Sequence, residues 1–137
     1  MKEQKINHAA VWILVILYQI ASVSWYKFFN EKWMTLNGFS ILDFKDQSWG
    51  IYVVSVATSA ITFYFLAWLF KRIAISGAAT GAKFAFLVWL ALIFTNVLAK
   101  DLFSLRPFTL TLINEGVNAV AFLCAGALLG LWKQYDK

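Results

Sequence analysis

The sequence predicts an all-α integral membrane four-helix bundle, with a short amphipathic segment on the membrane surface between the first two spans. Three observations predict it. Hydrophobic residues make up 61% of the 137 positions and charged residues 14%, against the usual ~45–50% and ~25%. Charges leave four long gaps, at residues 6–26, 47–70, 84–99 and 116–132. The single proline, Pro107, falls outside the interior of any of the apolar runs. A soluble fold of this size buries only about two-thirds of its chain surface. A soluble enzyme, a nucleic-acid-binding domain and a disordered tail are therefore excluded.

A spanning helix needs about 20 mostly apolar residues. The expected spans are 9–26, 51–70, 77–99 and 108–132, in one transmembrane domain covering 1–137. Backbone polar groups in lipid must be satisfied within the segment. The absence of interior proline suits four continuous helices. Pro107 opens the fourth, where a missing N–H costs nothing. The first span has Lys2 and Lys5 before it and small residues Ala21, Ser22 and Ser24 near its end, in the manner of a secretory signal. Its apolar stretch continues into bulky Trp25 and Tyr26, so it is expected to be retained.

The net charge of +5 anchors the spans and does not mark a nucleic-acid surface, because the basic residues sit at the ends of the apolar runs. Lys2, Lys5, Lys71, Arg72, Lys83, Lys133 and Lys137 fall on the side holding the termini. Lys27, Lys32, Lys45, Lys100 and Arg106 fall on the other. The excess places both termini in the cytoplasm. The terminal side is here called inner and the opposite side outer. His8 is expected at the inner surface, solvated. The lone Cys124 has no partner for an intramolecular disulfide. One His and one Cys are too few for a zinc site of that type.

The stretch 27–50 is too long for bare loop. Phe29, Trp33 and Leu36 recur at helical spacing, Gly38 is a helix stop, and Ser40 with Asp43 has capping-box spacing. One or two short amphipathic helices are expected over 28–48, with Trp33, Phe39, Phe44 and Trp49 dipping into the interface.

Polar residues inside the spans carry the chemical signal. At about 100° per residue, Thr111, Asn114, Glu115 and Asn118 share one face of the fourth span. Gly116, Ala119, Gly126 and Gly130 form a close-packing stripe beside it. The rest of the circumference, with Leu110, Ile113, Val117, Ala121, Cys124, Leu128 and Leu131, is expected to face lipid. Gly126 and Gly130 match GxxxG, as do Gly77 and Gly81, and packing within one chain is the preferred reading. The second span carries a hydroxyl stripe, Ser55, Thr58, Ser59 and Thr62, whose members are also suited to bonding their own backbone. The first span offers Gln19 and Ser22, and the third Thr95 and Asn96.

At ~1.5 Å per residue, Gln19, Thr58 and Glu115 each lie ~12 Å below the outer end of their helix. Asn96 is shallower. Such residues are costly in lipid unless they face protein or water. One connected polar layer in the outer half of the bundle is therefore expected, formed by Gln19, Thr58, Asn96, Asn114, Glu115 and Asn118, with Arg106 reaching inward toward Glu115.

The run Thr95-Asn96 through Leu102-Phe103, then Arg106-Pro107, then Leu112-Ile113-Asn114-x-Gly116, then Gly126 through Leu131-Trp132, resembles the bacterial family of small four-span membrane proteins known as Domain of Unknown Function 1761. Trp25, Tyr26, Phe29 and Trp33 resemble that family's usual end of the first span. The chain departs from the pattern at Glu115, where the family commonly has Ala, and at Val117, where it commonly has Tyr. It also lacks the Pro and Gly that usually follow Trp-Tyr. The resemblance implies the four-span architecture and a bacterial origin, and supplies no activity. The departure at Glu115 argues against a family-wide chemistry for this carboxylate.

No P-loop, GxSxG, HExxH or CxxC occurs, and a lone intramembrane carboxylate is not an acid/base pair. The expected function is a non-enzymatic binding or interaction module of the bacterial cytoplasmic membrane, without cofactor or metal. Its partners are the lipid bilayer, a small polar or amphiphilic ligand, or a second copy of the chain. The alternative is a small transporter or channel subunit, acting as an oligomer, with Glu115 as the coupling or ion-attracting group. Binding is preferred because transport folds usually show repeats or broken helices, and neither is visible in the sequence.

Overall fold

A computed structural model describes residues 3–135. Four helical segments are long and apolar enough to cross a membrane: His8–Phe28, Gly50–Arg72, Ala78–Phe103 and Phe108–Leu131. The protein is a multi-pass membrane protein built as a helical bundle. The first span is α1 (His8–Phe28), followed by a short surface helix α2 (Asn30–Asn37) and a 3-10 turn Ile41–Phe44. The second span is α3 (Gly50–Arg72). The third joins α4 (Ala78–Trp89) to α5 (Thr95–Phe103) through a π-helical segment, Leu90–Phe94. The fourth is α6 (Phe108–Leu131).

Local chemistry sets the ends. Asn7 caps α1, its side-chain oxygen accepting from the Ala10 N–H at 3.1 Å. Lys27 ends α1, and Lys71 and Arg72 end α3, where cations suit the helix dipole. Gly38 stops α2 in a left-handed conformation, φ 69°. The Ser40/Asp43 capping box forms as expected. Two strands of two residues, β1 (Gln4–Lys5) and β2 (Gln134–Tyr135), pair antiparallel and tie the segment before α1 to the segment after α6. The Asn7 amide donates to the Trp132 carbonyl at 3.1 Å, and Lys71 pairs with Glu3 at 3.0 Å. His8 is exposed and lies 2.9 Å from the Tyr64 hydroxyl.

The helix α6 is the centre of the bundle: α1, α2, α3, α4 and α5 all pack on it. Its tightest neighbour is α4. Gly81 and Gly126 sit backbone to backbone, so a Cβ on either would overlap the other's carbonyl oxygen. A Cβ on Gly130 would meet the Gly77 carbonyl, and the Gly77 N–H donates to the Gly130 carbonyl at 3.0 Å. The two GxxxG pairs therefore face each other within one chain.

The apolar core fills the inner half. Val11, Leu14 and Val15 meet Phe63, Leu66 and Phe70, with Ala85, Phe122, Ala125 and Leu129. Apart from the ties at the inner end, side-chain hydrogen bonds between the spans lie further out.

Two expectations need correction. Leu110, Ile113 and Val117 are buried, not lipid-facing, because α6 is enclosed on several sides. Its exposed positions include Leu112, Val120, Leu123, Cys124 and Leu131, while Leu128 is partly buried. The third span is longer than 77–99, running to Phe103, and contains a π turn. Trp33 folds over the bundle and bonds Asn114 of α6, whereas Trp49 is exposed.

Candidate functional site

The antiparallel register of α4 on α6, set by the glycine pairs at the inner end, carries Trp89 to the level of Glu115. The Trp89 indole N–H donates to Glu115 Oε2 at 3.0 Å, and both residues are buried. The Asn118 amide, one turn along α6, donates to both Glu115 oxygens at 3.2 Å. Asn118 Oδ1 in turn accepts from the Tyr18 hydroxyl at 2.8 Å. The Glu115 carboxylate is thus held by donors from two helices, and Tyr18 links the arrangement to α1.

Two other polar groupings lie nearby. Gln19 bridges α1 and α3: its amide donates to Ser59 Oγ at 3.0 Å and its carbonyl accepts from Ser55 Oγ at 2.9 Å. Asn114 Oδ1 accepts from the Trp33 indole at 2.9 Å and, at a longer 3.4 Å, from the Tyr26 hydroxyl. That bond fastens α2 over the outer end of α6. Beside it, the Trp25 indole donates to the Ile113 carbonyl at 2.8 Å and lies on Gly116, where a Cβ would stand 2.5 Å from the ring. Gly116 is therefore a seat for Trp25.

Asn96 and Arg106 do not join. The Asn96 side chain is exposed and donates to the Leu92 carbonyl of its own helix at 2.8 Å. Arg106 is exposed in the turn before α6, and the groups holding Glu115 are Trp89 and Asn118. Thr58 bonds back to the Val54 and Ser55 carbonyls and reaches no other polar side chain of the expected layer. The single layer is therefore several small networks on α6, α1 and α3, each closed by groups a helical wheel could not pair.

One pair escaped the sequence reading. Thr111 donates to Asp101 Oδ2 at 2.8 Å, and both side chains are buried. Thr111 lies on the polar face of α6, but Asp101 falls beyond a third span that ends at 99. The extension of α5 to Phe103 brings it in. The Arg106 N–H closes the turn on the Asp101 carbonyl at 2.9 Å.

The networks border two cavities. An outer cleft of about 420 Å³ lies between α1 and the first turns of α3, under α2 and the 3-10 turn. Its walls carry hydroxyls (Ser22, Tyr26, Tyr52, Ser55) and amides (Gln19, Asn30, Gln47). Trp33 and Phe44 supply rings, and no charged residue lines it. The Ser22 hydroxyl is buried beside Tyr18 without a partner of hydrogen-bonding geometry. A second crevice of about 220 Å³ lies deeper, between α3, the π segment and α6, lined by Thr58, Ser59, Thr62, Ile93, Asn118 and Phe122.

No curated protein and no solved structure matches the chain. Residues 9–130, from the first turn of α1 to the end of the glycine-paired stretch of α6, match the family described as "Protein of unknown function (DUF1761)". The stretches that carry the sequence resemblance are those that build the α5–α6 turn, the Asn114 bond and the glycine contact, and the protein belongs to the DUF1761 family.

Proposed function

We propose that this protein is a non-enzymatic binding module of the bacterial cytoplasmic membrane, with both termini in the cytoplasm, that takes a small uncharged ligand in its outer cleft. The cleft carries this reading. Its volume falls in the ~300–1,000 Å³ range of ligand pockets. It combines aromatic walls with several hydrogen-bonding groups, the usual make-up of a specific small-molecule site. The absence of charge among its lining residues suits an uncharged ligand, because a buried unpaired charge is strongly disfavoured.

Glu115 is occupied by Trp89 and Asn118. This supports a structural role for the carboxylate over a role as a coupling group in transport.

The reading is tested by native mass spectrometry of the protein released from nanodiscs made with cell lipids. A molecule retained by the wild type is expected to be lost from Val23→Trp, because Val23 lines the cleft and is exposed, so the larger ring fills the space without entering the core. Identical spectra from the two proteins would count against the cleft as a ligand site.

A further inference from the structure

The hydroxyl stripe on the second span runs the length of both cavities. Tyr52 and Ser55 line the outer cleft, and Thr58, Ser59 and Thr62 line the deeper crevice. At ~1.5 Å per residue, Tyr52 to Thr62 covers ~15 Å of depth. Tyr18 is a wall of both cavities. Gln19 sits at their junction, bonded to Ser55 on the cleft side and to Ser59 on the crevice side. The two spaces therefore follow one face of α3 and share the Tyr18 wall, with the Gln19 bridge between them.

Their chemistry changes with depth. The outer cleft presents hydroxyls, amides and rings near the membrane surface. In the crevice, the Thr58, Ser59 and Thr62 hydroxyls all donate to carbonyls of their own helix. That leaves the crevice with little free donor capacity beside Ile93, Phe122 and Phe63. The crevice also has a side exit. α3 and the third span meet at the inner end, where Phe70 packs on Phe84, but have little direct backbone contact further out. Thr58 is exposed at that gap.

We propose that the outer cleft and the crevice form one site for a single-chain amphiphile with an uncharged, hydroxyl-bearing headgroup. The headgroup occupies the cleft, against Tyr52 and Gln47. The acyl chain descends past Tyr18 and Gln19 into the crevice between Thr62 and Ile93. This rests on the binding reading above and names the ligand class for the same site. The donor order, unspent side-chain donors such as Tyr52 and Gln47 in the cleft and hydroxyls spent on their own helix in the crevice, matches such a molecule oriented as it sits in an outer leaflet. The missing cations in the cleft wall set it against a phosphate-bearing lipid, whose charge would be left unpaired.

The test uses monoacylglycerol with a photoreactive diazirine in its chain, added to phosphatidylcholine nanodiscs holding the full chain, with labelled positions mapped by peptide mass spectrometry. Labelling at Thr62, Ile93 and Phe122 that unlabelled monoacylglycerol competes away is expected. Thr62→Phe and, separately, Ile93→Phe should abolish it while the helical circular-dichroism signal is retained. Competable labelling confined to cleft residues such as Val23 and Ile51, and indifferent to both variants, would overturn the shared site while leaving the cleft reading standing. Labelling spread without competition over lipid-facing Ile16, Ile61 and Leu92 would overturn both. Equal competition by lysophosphatidylglycerol would overturn the uncharged headgroup.

Discussion

Trp89 and Glu115, on the third and fourth spans, are joined by a 3.0 Å hydrogen bond from indole to carboxylate with both side chains buried. The bond sits at the boundary between the apolar inner half and the polar outer half. It depends on the α4–α6 register that the glycines set.

Removing the acceptor should therefore cost more than removing the charge. Glu115→Gln keeps a carbonyl oxygen for the indole and should lower stability by about 1 kcal/mol. Glu115→Leu strands the Trp89 N–H and the Asn118 amide, at about 1–3 kcal/mol for each unsatisfied group. Denaturant unfolding in micelles, followed by tryptophan fluorescence, separates the two. Equal losses would mean that the charge itself is what the site needs.

The glycine contact should tolerate almost no side chain. A Cβ at Gly126 meets the Gly81 carbonyl and, at 2.7 Å, the Ala85 Cβ. Gly126→Leu with Gly130→Leu should lose about 1–3 kcal/mol or more through overpacking. Leu131→Ile, at an exposed position, should change stability by about 0.5 kcal/mol or less. Leu128 is a poorer control, since it packs partly against the core. Thermal melts of the three proteins in one detergent check this.

The surface helix should come loose when the Trp33–Asn114 bond to α6 is cut. Trp33→Phe keeps a ring for Phe39 and Phe44 to pack on but removes the donor to Asn114. A loss of about 0.5–1.5 kcal/mol is expected, with faster proteolysis between Glu31 and Lys45 than in the wild type. An unchanged cleavage rate would show that aromatic packing alone holds α2 down.

The topology prediction needs no unfolding. Pairing of Gln4 with Tyr135 puts both chain ends at one end of the bundle, and the 27–50 connection lies at the other. Reporters fused after Tyr135 and inserted near Lys45 should score on opposite sides of the membrane, the first cytoplasmic. Signals from the same side would overturn the four-span arrangement.

The number of spans, the membrane class, the segment between the first two spans with its Gly38 stop and Ser40/Asp43 box, and the use of the GxxxG glycines for packing within the chain were all legible in the sequence. These follow from charge gaps and local chemistry, which act within a few residues. It also determined that most polar side chains would sit in the outer half, since depth along a helix is simple arithmetic. Which side chain meets which was decided only by the tertiary structure. In a membrane, lipid tails are as apolar as leucine, so periodicity does not distinguish a helix face turned to lipid from one turned to protein. Periodicity therefore points Leu110, Ile113 and Val117 toward lipid, although α6 is the enclosed helix and all three are buried. Asn96 and Thr58 found carbonyls in their own helices, which a helical wheel cannot rank against a distant partner. The Trp89–Glu115, Trp33–Asn114 and Asp101–Thr111 bonds each join two separate helices, so they depend on register and rotation between helices, which no single segment encodes.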